Sequence, residues 1–222
     1  MIQRWSDASF LHWRVDAALL RPHVDPAVEV EEFDGSAWIG LIPFRMTMRL
    51  PYQPPLPVIS RYPETNVRTY VRDARGRRGL WFLSLDVPRS LAVAAARIAL
   101  RLPYAWSRMS TEDIGDGMAY RAERIVPARG ARSDVTVSTA RAEEDDSELA
   151  RFLTARFRLF GRGPLGPFEV DVEHAPWILS TADVLSVEDE LVRTAGAEIS
   201  RAPDHVLFSP GVEVRLGFPQ RL

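Results

Sequence analysis

Three polar side chains of the kinds that hold and protonate small molecules follow one another at alternate positions. They are Glu64, Asn66 and Arg68, and in a β-strand residues two apart point to the same face. A carboxyl group can transfer a proton, a guanidinium can hold an anion in two parallel hydrogen bonds, and an amide can hydrogen-bond either. This stretch therefore predicts a binding or catalytic face on one strand.

The strand that follows indicates what this face meets. A polar turn at 72–79 separates 62–71 from 80–85, which reads Leu-Trp-Phe-Leu-Ser-Leu. A strand that apolar is covered on both faces. If its neighbour is equally central, the polar face looks into a cavity. Polar–apolar alternation is also typical of a half-exposed strand, so the pattern alone leaves both interpretations open.

Composition limits the class of protein. The chain has 222 residues, 46% of them apolar and 26% charged, with a formal charge of −2. These values are typical of an ordinary globular protein, and the length fits one sizeable domain or two small ones. Because no repeat, low-complexity tract or linker divides the chain, we expect a single domain over residues 1–222. The charge gives no reason to expect nucleic acid as a partner, and no apolar run approaches the ~20 residues that span a bilayer. We expect a cytoplasmic protein whose partner is a small molecule; homo-oligomerisation is left open.

Two residue types are missing from the chain. It contains neither Cys nor Lys, which excludes disulfides, Cys-based zinc sites and a Schiff base on an internal side chain. The four histidines are scattered and lack metal-ligand spacing; they are His12, His23, His174 and His205. We therefore expect neither a metal nor a cofactor.

Apolar spacing predicts three helices, at 88–102, 147–160 and 186–195, with Gly161 and Gly196 ending the last two.

Strands outnumber these helices. Asp34-Gly35 between two strand-like segments, at 28–33 and 37–44, predicts a hairpin. The segments 118–126 and 134–141 are predicted to pair around a second turn. An α+β fold with a mainly antiparallel sheet follows.

Several longer segments share the order of a known group of proteins. They are 12–30, Glu-x-Asn-x-Arg-Thr-Tyr at 64–70, Leu-Pro-Tyr at 102–104, Phe-Leu-Thr-x-Arg-Phe-x-Leu-Phe at 152–160 and His-x-Pro-Trp at 174–177. This set resembles the YqjF-like bacterial family of unknown function, within the acetoacetate-decarboxylase-like superfamily. The resemblance implies one domain built on a strongly curved antiparallel β-sheet. It also implies that the sheet closes into a cone-like barrel with flanking helices, around a small-molecule cavity.

The same resemblance suggests roles for individual residues. Arg14 falls where the decarboxylases keep an arginine for the substrate carboxylate, and Glu64 where they keep an active-site glutamate. Tyr104 and Ala105 fall where they keep two lysines, one of which forms the Schiff base. Because both lysines are absent here, the resemblance implies a cavity without imine chemistry.

We therefore expect a cavity that binds, or acts on, a carbonyl- or carboxylate-containing metabolite by non-covalent acid–base chemistry of lyase, isomerase or cyclase type. Glu64 would be the general acid or base and Tyr104 a proton or hydrogen-bond donor. The predicted ligand-binding residues are Arg14, Arg68, Asn66, Trp13, Trp38 and Trp81. The alternative is a non-catalytic ligand-binding or structural domain, in which the tryptophans simply pack in the core.

Overall fold

Strands dominate the architecture. A computed structural model describes residues 2–49, 61–88 and 101–222. The strands are β1 (Ile2–Val15), β2 (Val28–Val30), β3 (Ala37–Arg49), β4 (Arg61–Asp73), β5 (Arg78–Val87), β6 (Tyr104–Asp113), β7 (Gly117–Val126), β8 (Arg132–Ser138), β9 (Arg158–Gly163), β10 (Gly166–His174), β11 (Ser180–Thr181), β12 (Asp183–Asp189), β13 (His205–Leu216) and β14 (Gln220–Arg221). The helices are α1 (Ala17–Leu20), a 3₁₀ turn (Arg21–His23), α2 (Glu148–Thr154) and α3 (Leu191–Thr194). The helix predicted at 88–102 falls almost entirely outside the described residues.

The strand pairings close on themselves. Following hydrogen-bonded neighbours from β4 leads through β5, β9, β10, β13, β1 and β3 back to β4. A branch of β6, β7, β8 and β12 extends from β5. Named strands pair antiparallel, except that β5 runs parallel to both β6 and β9. The predicted α+β fold with a curved, mainly antiparallel sheet is confirmed.

Strands β4 and β5 form because the turn between them is well specified. Gly76 adopts a φ of +77°, which favours glycine. The Asp73 carboxylate accepts hydrogen bonds from the backbone N–H groups of Arg75 and Arg77. Strand β4 lies between β3 and β5 in the sheet, and the side chains of its polar face, Glu64, Asn66 and Arg68, are buried.

Strand β5 changes partners along its length. Leu80 and Trp81 pair with β9, whereas the segment from Leu85 to Val87 pairs with β6. Phe82 lies in the gap between the two pairings. The sheet therefore forks at the middle of β5. Along the edge of β5 that faces away from β4, the first half continues into the closed ring through β9, and the second half continues into the branch through β6.

Two predicted helices are shorter in the structure. Helix α2 ends at Thr154 rather than at 160, because the residues after it form β9. Gly161 is needed there for another reason: a Cβ on it would lie 2.5 Å from the Phe168 ring. The segment predicted as a helix at 186–195 begins as β12, and Asp189 caps α3 by accepting from the N–H of Val192.

The predicted hairpin is half right. Asp34 and Gly35 form a turn with positive φ at both positions, bridging Phe33 and Ser36. However, β2 pairs with β4 rather than with β3. The pairing predicted between 118–126 and 134–141 is found as β7 with β8.

Candidate functional site

A cavity of about 430 Å³ lies against the ring of strands. We call it the ring cavity, since each of the seven ring strands contributes at least one lining side chain. One from each strand is Trp5, Met46, Glu64, Phe82, Leu159, Val170 and Leu216. Its volume falls within the range of roughly 300–1,000 Å³ that is typical of small-molecule sites.

Glu64 and Tyr104 provide two hydroxyl groups in this cavity. Glu64 is 5% exposed, and burial, with a further contribution from the negative charge of Asp86, raises the pKa of its carboxyl to about 8. Burial and then the charge of Glu64 raise the pKa of the Tyr104 phenol well above its usual value. Both groups are therefore mainly protonated at neutral pH, and each can donate a hydrogen bond.

The Glu64 carboxyl has no protein partner among the residues that the structure describes: none of them donates a hydrogen bond to it or forms an ion pair with it. A buried carboxyl in this state is costly for the fold unless it stays protonated. Its hydrogen-bonding capacity is free for a ligand.

Arg68 is a buried cation with neutral partners. Its side chain is 4% exposed, and its Nη2 donates to the carbonyl oxygen of Leu153 at 3.2 Å. Its Nε donates to the Tyr70 hydroxyl at 3.4 Å, and the guanidinium lies 5.5 Å from the Phe10 ring. Within the described parts of the chain no carboxylate forms a salt bridge with it, so its charge is uncompensated.

A second layer of side chains holds Arg68 in place. The Tyr70 hydroxyl lies 2.6 Å from Nε2 of His12. Because Arg68 can only donate, Tyr70 accepts from it and directs its own proton to His12. Burial, and then the positive charges of Arg68 and His205, hold the pKa of His12 well below its usual value. His12 is thus a neutral acceptor, and the network leaves the charge on Arg68.

Arg156 is a second described arginine that lines the cavity, and a carboxylate neutralises it. Its Nη1 donates to Glu31 at 2.5 Å and its Nε to the Phe152 carbonyl at 2.6 Å. Burial lowers the pKa of Arg156 to about 10, with Glu31 acting in the opposite direction, so it remains charged at neutral pH. It was missed as a site residue although it lies in the 152–160 segment that carried the resemblance.

A buried ion pair lies beside the cavity. Arg124 donates to both oxygens of Asp86, from Nε at 2.8 Å and from Nη2 at 2.7 Å. Ser107 donates to the same carboxylate at 2.7 Å. Neither ion lines the ring cavity, but the charge of Asp86 contributes to keeping Glu64 protonated.

The structure brings Glu64, Arg68 and Tyr104 together in the ring cavity. Asn66 is buried on the same strand, and its side-chain oxygen has no partner among the described residues. It does not line the cavity itself.

Arg14 lies elsewhere. Its guanidinium is 3.3 Å from the carboxylate of Asp34, and it stacks over Trp38 at 4.9 Å. With 38% of its side chain exposed, it does not line the ring cavity. The expectation that it holds a carboxylate there does not fit this geometry, because the Asp34 turn draws it toward the outside.

The three predicted tryptophans also lie outside the ring cavity. Trp13 donates its indole N–H to the carbonyl of Arg201 at 2.9 Å, and Trp38 is 1% exposed in the core. Trp81 lines a second cavity of about 540 Å³. The indoles that do line the ring cavity are Trp5 and Trp177, stacked with ring centroids 6.2 Å apart.

An irregularity in β1 explains why Trp5 was not among the predicted ligand-binding residues. The pairing of β1 with β3 shifts register between Ser6 and Leu11, and Asp7 adopts a positive φ of 50°. Alternation counted from Trp13 therefore does not predict the face of Trp5.

Comparison with known proteins gives this chain a family. The DUF2071 family, described as an uncharacterized conserved protein, matches residues 2–213. The chain belongs to this family. Within it, the uncharacterized protein YqjF of Bacillus subtilis (strain 168) is 37% identical over 186 residues, which are 82% of this chain and 76% of that protein. The predicted membership of the YqjF-like family is confirmed.

Solved structures share the fold of this DUF2071 chain at low sequence identity. An acetoacetate decarboxylase from Legionella pneumophila has a TM-score of 0.69 and 14% identity, over 99% of this chain and 87% of that one. The enduracididine biosynthesis enzyme MppR in complex with pyruvate has a TM-score of 0.62 and 16% identity, over 99% and 89%. The acetoacetate-decarboxylase-like fold is therefore confirmed.

Two features are absent from the described residues of this family member. No helix among these residues has the length and apolar character needed to cross a bilayer. No group of three or more metal-ligating side chains from these residues converges on one point.

Proposed function

We propose that this protein binds a small carboxylate- or carbonyl-containing metabolite in the ring cavity and acts on it by acid–base chemistry of lyase, isomerase or cyclase type. The observation that supports it best is the meeting of a protonated buried carboxyl, Glu64, with an uncompensated buried cation, Arg68, in one cavity. The pyruvate bound by a structural neighbour, MppR, agrees with a small oxo acid as the kind of ligand.

Each of the three residues has a proposed task. Arg68 holds a carboxylate or enolate oxygen, which supplies the negative charge that its surroundings lack. Glu64 gives its proton to an oxygen or carbon of the substrate and, once ionised, takes a proton back from a neighbouring position. Tyr104 donates a hydrogen bond to the carbonyl oxygen, which stabilises negative charge developing there.

Covalent catalysis through an imine is not part of this proposal. No lysine occurs anywhere in the sequence, and arginine cannot form a Schiff base because it does not lose its proton. The proposed chemistry proceeds through hydrogen bonds, charge and proton transfer.

A second candidate is a protein that only binds the ligand. It is favoured by Tyr104, whose raised pKa keeps the phenol protonated, so that it can donate a hydrogen bond but is a poor proton donor. The two candidates share the cavity and differ in whether Glu64 exchanges a proton with the ligand.

Proton exchange at carbon separates them. Small oxo acids, beginning with pyruvate and 2-oxobutyrate, would be incubated with the protein in deuterated buffer and followed by NMR. The proposal expects protein-dependent deuterium uptake next to the carbonyl, abolished in Glu64→Gln and retained in Glu213→Gln, a side chain 54% exposed on β13. Uptake that persists in Glu64→Gln would refute the acid–base role. Binding without any uptake would favour the second candidate.

A further inference from the structure

We propose that the ligand of the ring cavity is a monocarboxylate with an extended apolar chain, its carboxylate at Arg68 and its chain directed toward Phe218. This inference rests on the proposed binding of a carboxylate in this cavity. Beyond that function, it specifies that the ligand carries one negative charge, that the rest of the ligand is apolar, and in which direction the ligand lies in the cavity.

The balance of charge in the cavity favours a single negative charge. Arg68 has no carboxylate among the described residues, whereas Arg156 is paired with Glu31. Glu64, with a pKa of about 8, is mainly uncharged at neutral pH. Of the two described arginines that line the cavity, only Arg68 is therefore left without a carboxylate, and a second carboxylate on the ligand would lack an arginine partner of this kind.

Most of the remaining lining is apolar, with Gln3, Thr154 and His174 as polar exceptions. Aliphatic and sulfur-containing side chains line most of the cavity away from the polar groups, together with Trp5 and Trp177. Examples are Met46, Met48, Leu159, Val170 and Val172. Methionine adapts its shape to flexible apolar ligands, and such walls favour a hydrocarbon chain over a polar one.

Exposure gives the direction of the ligand. Arg68 and Glu64 are 4% and 5% exposed, whereas Phe218, which lines the same cavity, is 88% exposed. Arg68 and Glu64 thus lie in the buried part of the cavity, and Phe218 lies where the cavity meets solvent. A carboxylate bound at Arg68 would thus have its chain pointing outward along the apolar walls.

The size of the cavity points the same way. A water molecule takes about 30 Å³, so 430 Å³ corresponds to roughly fourteen waters. A three-carbon acid would leave most of this space unfilled, and unfilled apolar space contributes nothing to affinity. A longer chain would bury the apolar walls and bind more tightly.

The first test uses the unmodified protein and a series of straight-chain acids. Dissociation constants for acetate, butyrate, hexanoate and octanoate would be measured by calorimetry at neutral pH, with a stoichiometry of one as the criterion for specific binding. We expect binding to tighten about fourfold for each methylene added. Octanol, octanamide and the dicarboxylate suberate should each bind at least about tenfold more weakly than octanoate.

Variants then test the placement. Arg68→Met should remove the preference for octanoate over octanamide, whereas Arg215→Met, at a side chain 65% exposed on β13, should keep it. Val172→Phe should shift the preference toward shorter acids. Because the series of acids needs no substitution, a variant that fails to fold does not remove the test.

The outcomes distinguish this inference from the function on which it rests. Equal affinity along the series, with small oxo acids still binding through Arg68, would overturn the apolar chain and leave the proposed function standing. Equal binding of octanol and octanoate would overturn the role of the charge. Failure of every carboxylate to bind would overturn both.

Discussion

Arg124 and Arg68 are equally buried, at 4% exposure each, yet only one of them has a carboxylate. Arg124 is bidentate to Asp86 at 2.7 and 2.8 Å. Arg68 has a backbone carbonyl, a hydroxyl and an aromatic ring as neighbours. The same contrast separates the buried carboxyls: Asp86 accepts from Arg124 and Ser107, whereas no described residue donates to Glu64.

The difference distinguishes structural charges from those that are free for a ligand. A buried ion that is paired and hydrogen-bonded is part of the fold, while a buried ion left unpaired is costly unless something else compensates it. Paired and unpaired groups lie on neighbouring strands, on β5 and β7 in the first case and on β4 in the second. Removing one charged side chain should therefore destabilise the protein at the paired site, and should cost little stability or increase it at the unpaired site.

Removing the paired cation should have the largest effect. Arg124→Met leaves Asp86 buried with an uncompensated charge, and we expect the free energy of unfolding in urea to fall by about 3–5 kcal/mol. The double variant Arg124→Met with Asp86→Leu should recover much of this loss, because no lone ion remains. A double variant as unstable as the single one would contradict the comparison.

Removing the unpaired carboxyl of Glu64 should increase the free energy of unfolding at alkaline pH, in contrast to the loss expected for Arg124→Met. A carboxyl whose pKa is raised from 4.5 to about 8 in the folded protein binds a proton in the native state and not in the unfolded one between those values. The stability of the parent protein therefore falls as the pH rises through that window. Glu64→Gln, which cannot ionise, should be more stable than the parent at pH 8 by roughly 2–4 kcal/mol, and nearly equal at pH 4.

Urea unfolding of both proteins at these two pH values measures the difference. Glu213→Gln, at an exposed carboxyl, should follow the parent at each pH. A stability gap between Glu64→Gln and the parent that does not change with pH would mean that Glu64 is not held protonated by burial.

Removing the hydroxyl group that holds Arg68 in place should have a moderate effect on stability and on ligand binding. Tyr70→Phe removes the hydroxyl that lies between Arg68 and His12, and leaves Nε2 of His12 buried without its partner. We expect a loss of about 1–3 kcal/mol in stability and weaker binding of hexanoate, measured by calorimetry. Unchanged hexanoate affinity would show that Tyr70 does not position Arg68.

Removing Arg68 itself should have the smallest effect on the unliganded protein. Arg68→Met gives up two long hydrogen bonds but also removes a buried, unpaired charge, so we expect a change within about 1 kcal/mol in urea. A loss as large as that of Arg124→Met would mean that Arg68 is structurally compensated, and the contrast between the two arginines would fail.

The polar face of β4 could be predicted from sequence because it depends on alternation and on the apolar run at 80–85. That run indicated a central strand, and Glu64 and Arg68 are indeed buried beside it. Four residues along one strand also separate the two side chains too far for a mutual ion pair, and none forms between them. Tyr104 was placed by the resemblance alone, and it does line the cavity.

Other site residues depended on contacts that alternation does not record. Arg14 follows the carboxylate of Asp34, which a turn brings across from a distant part of the chain. Arg156 faces the cavity because α2 ends two residues earlier than its sequence position, at Thr154, whereas the apolar stripe predicted a helix through 160. Trp5 could not be assigned to a face because of the register shift within β1.

The fork in β5 has a consequence for the selection of ligands. Phe82 lies between its two sets of partners and, with Leu102, lines both the ring cavity and the second cavity. These two side chains thus stand between cavities of about 430 and 540 Å³. Shortening both of them should join the cavities, so Phe82 and Leu102 together limit the size of the molecule that this protein admits.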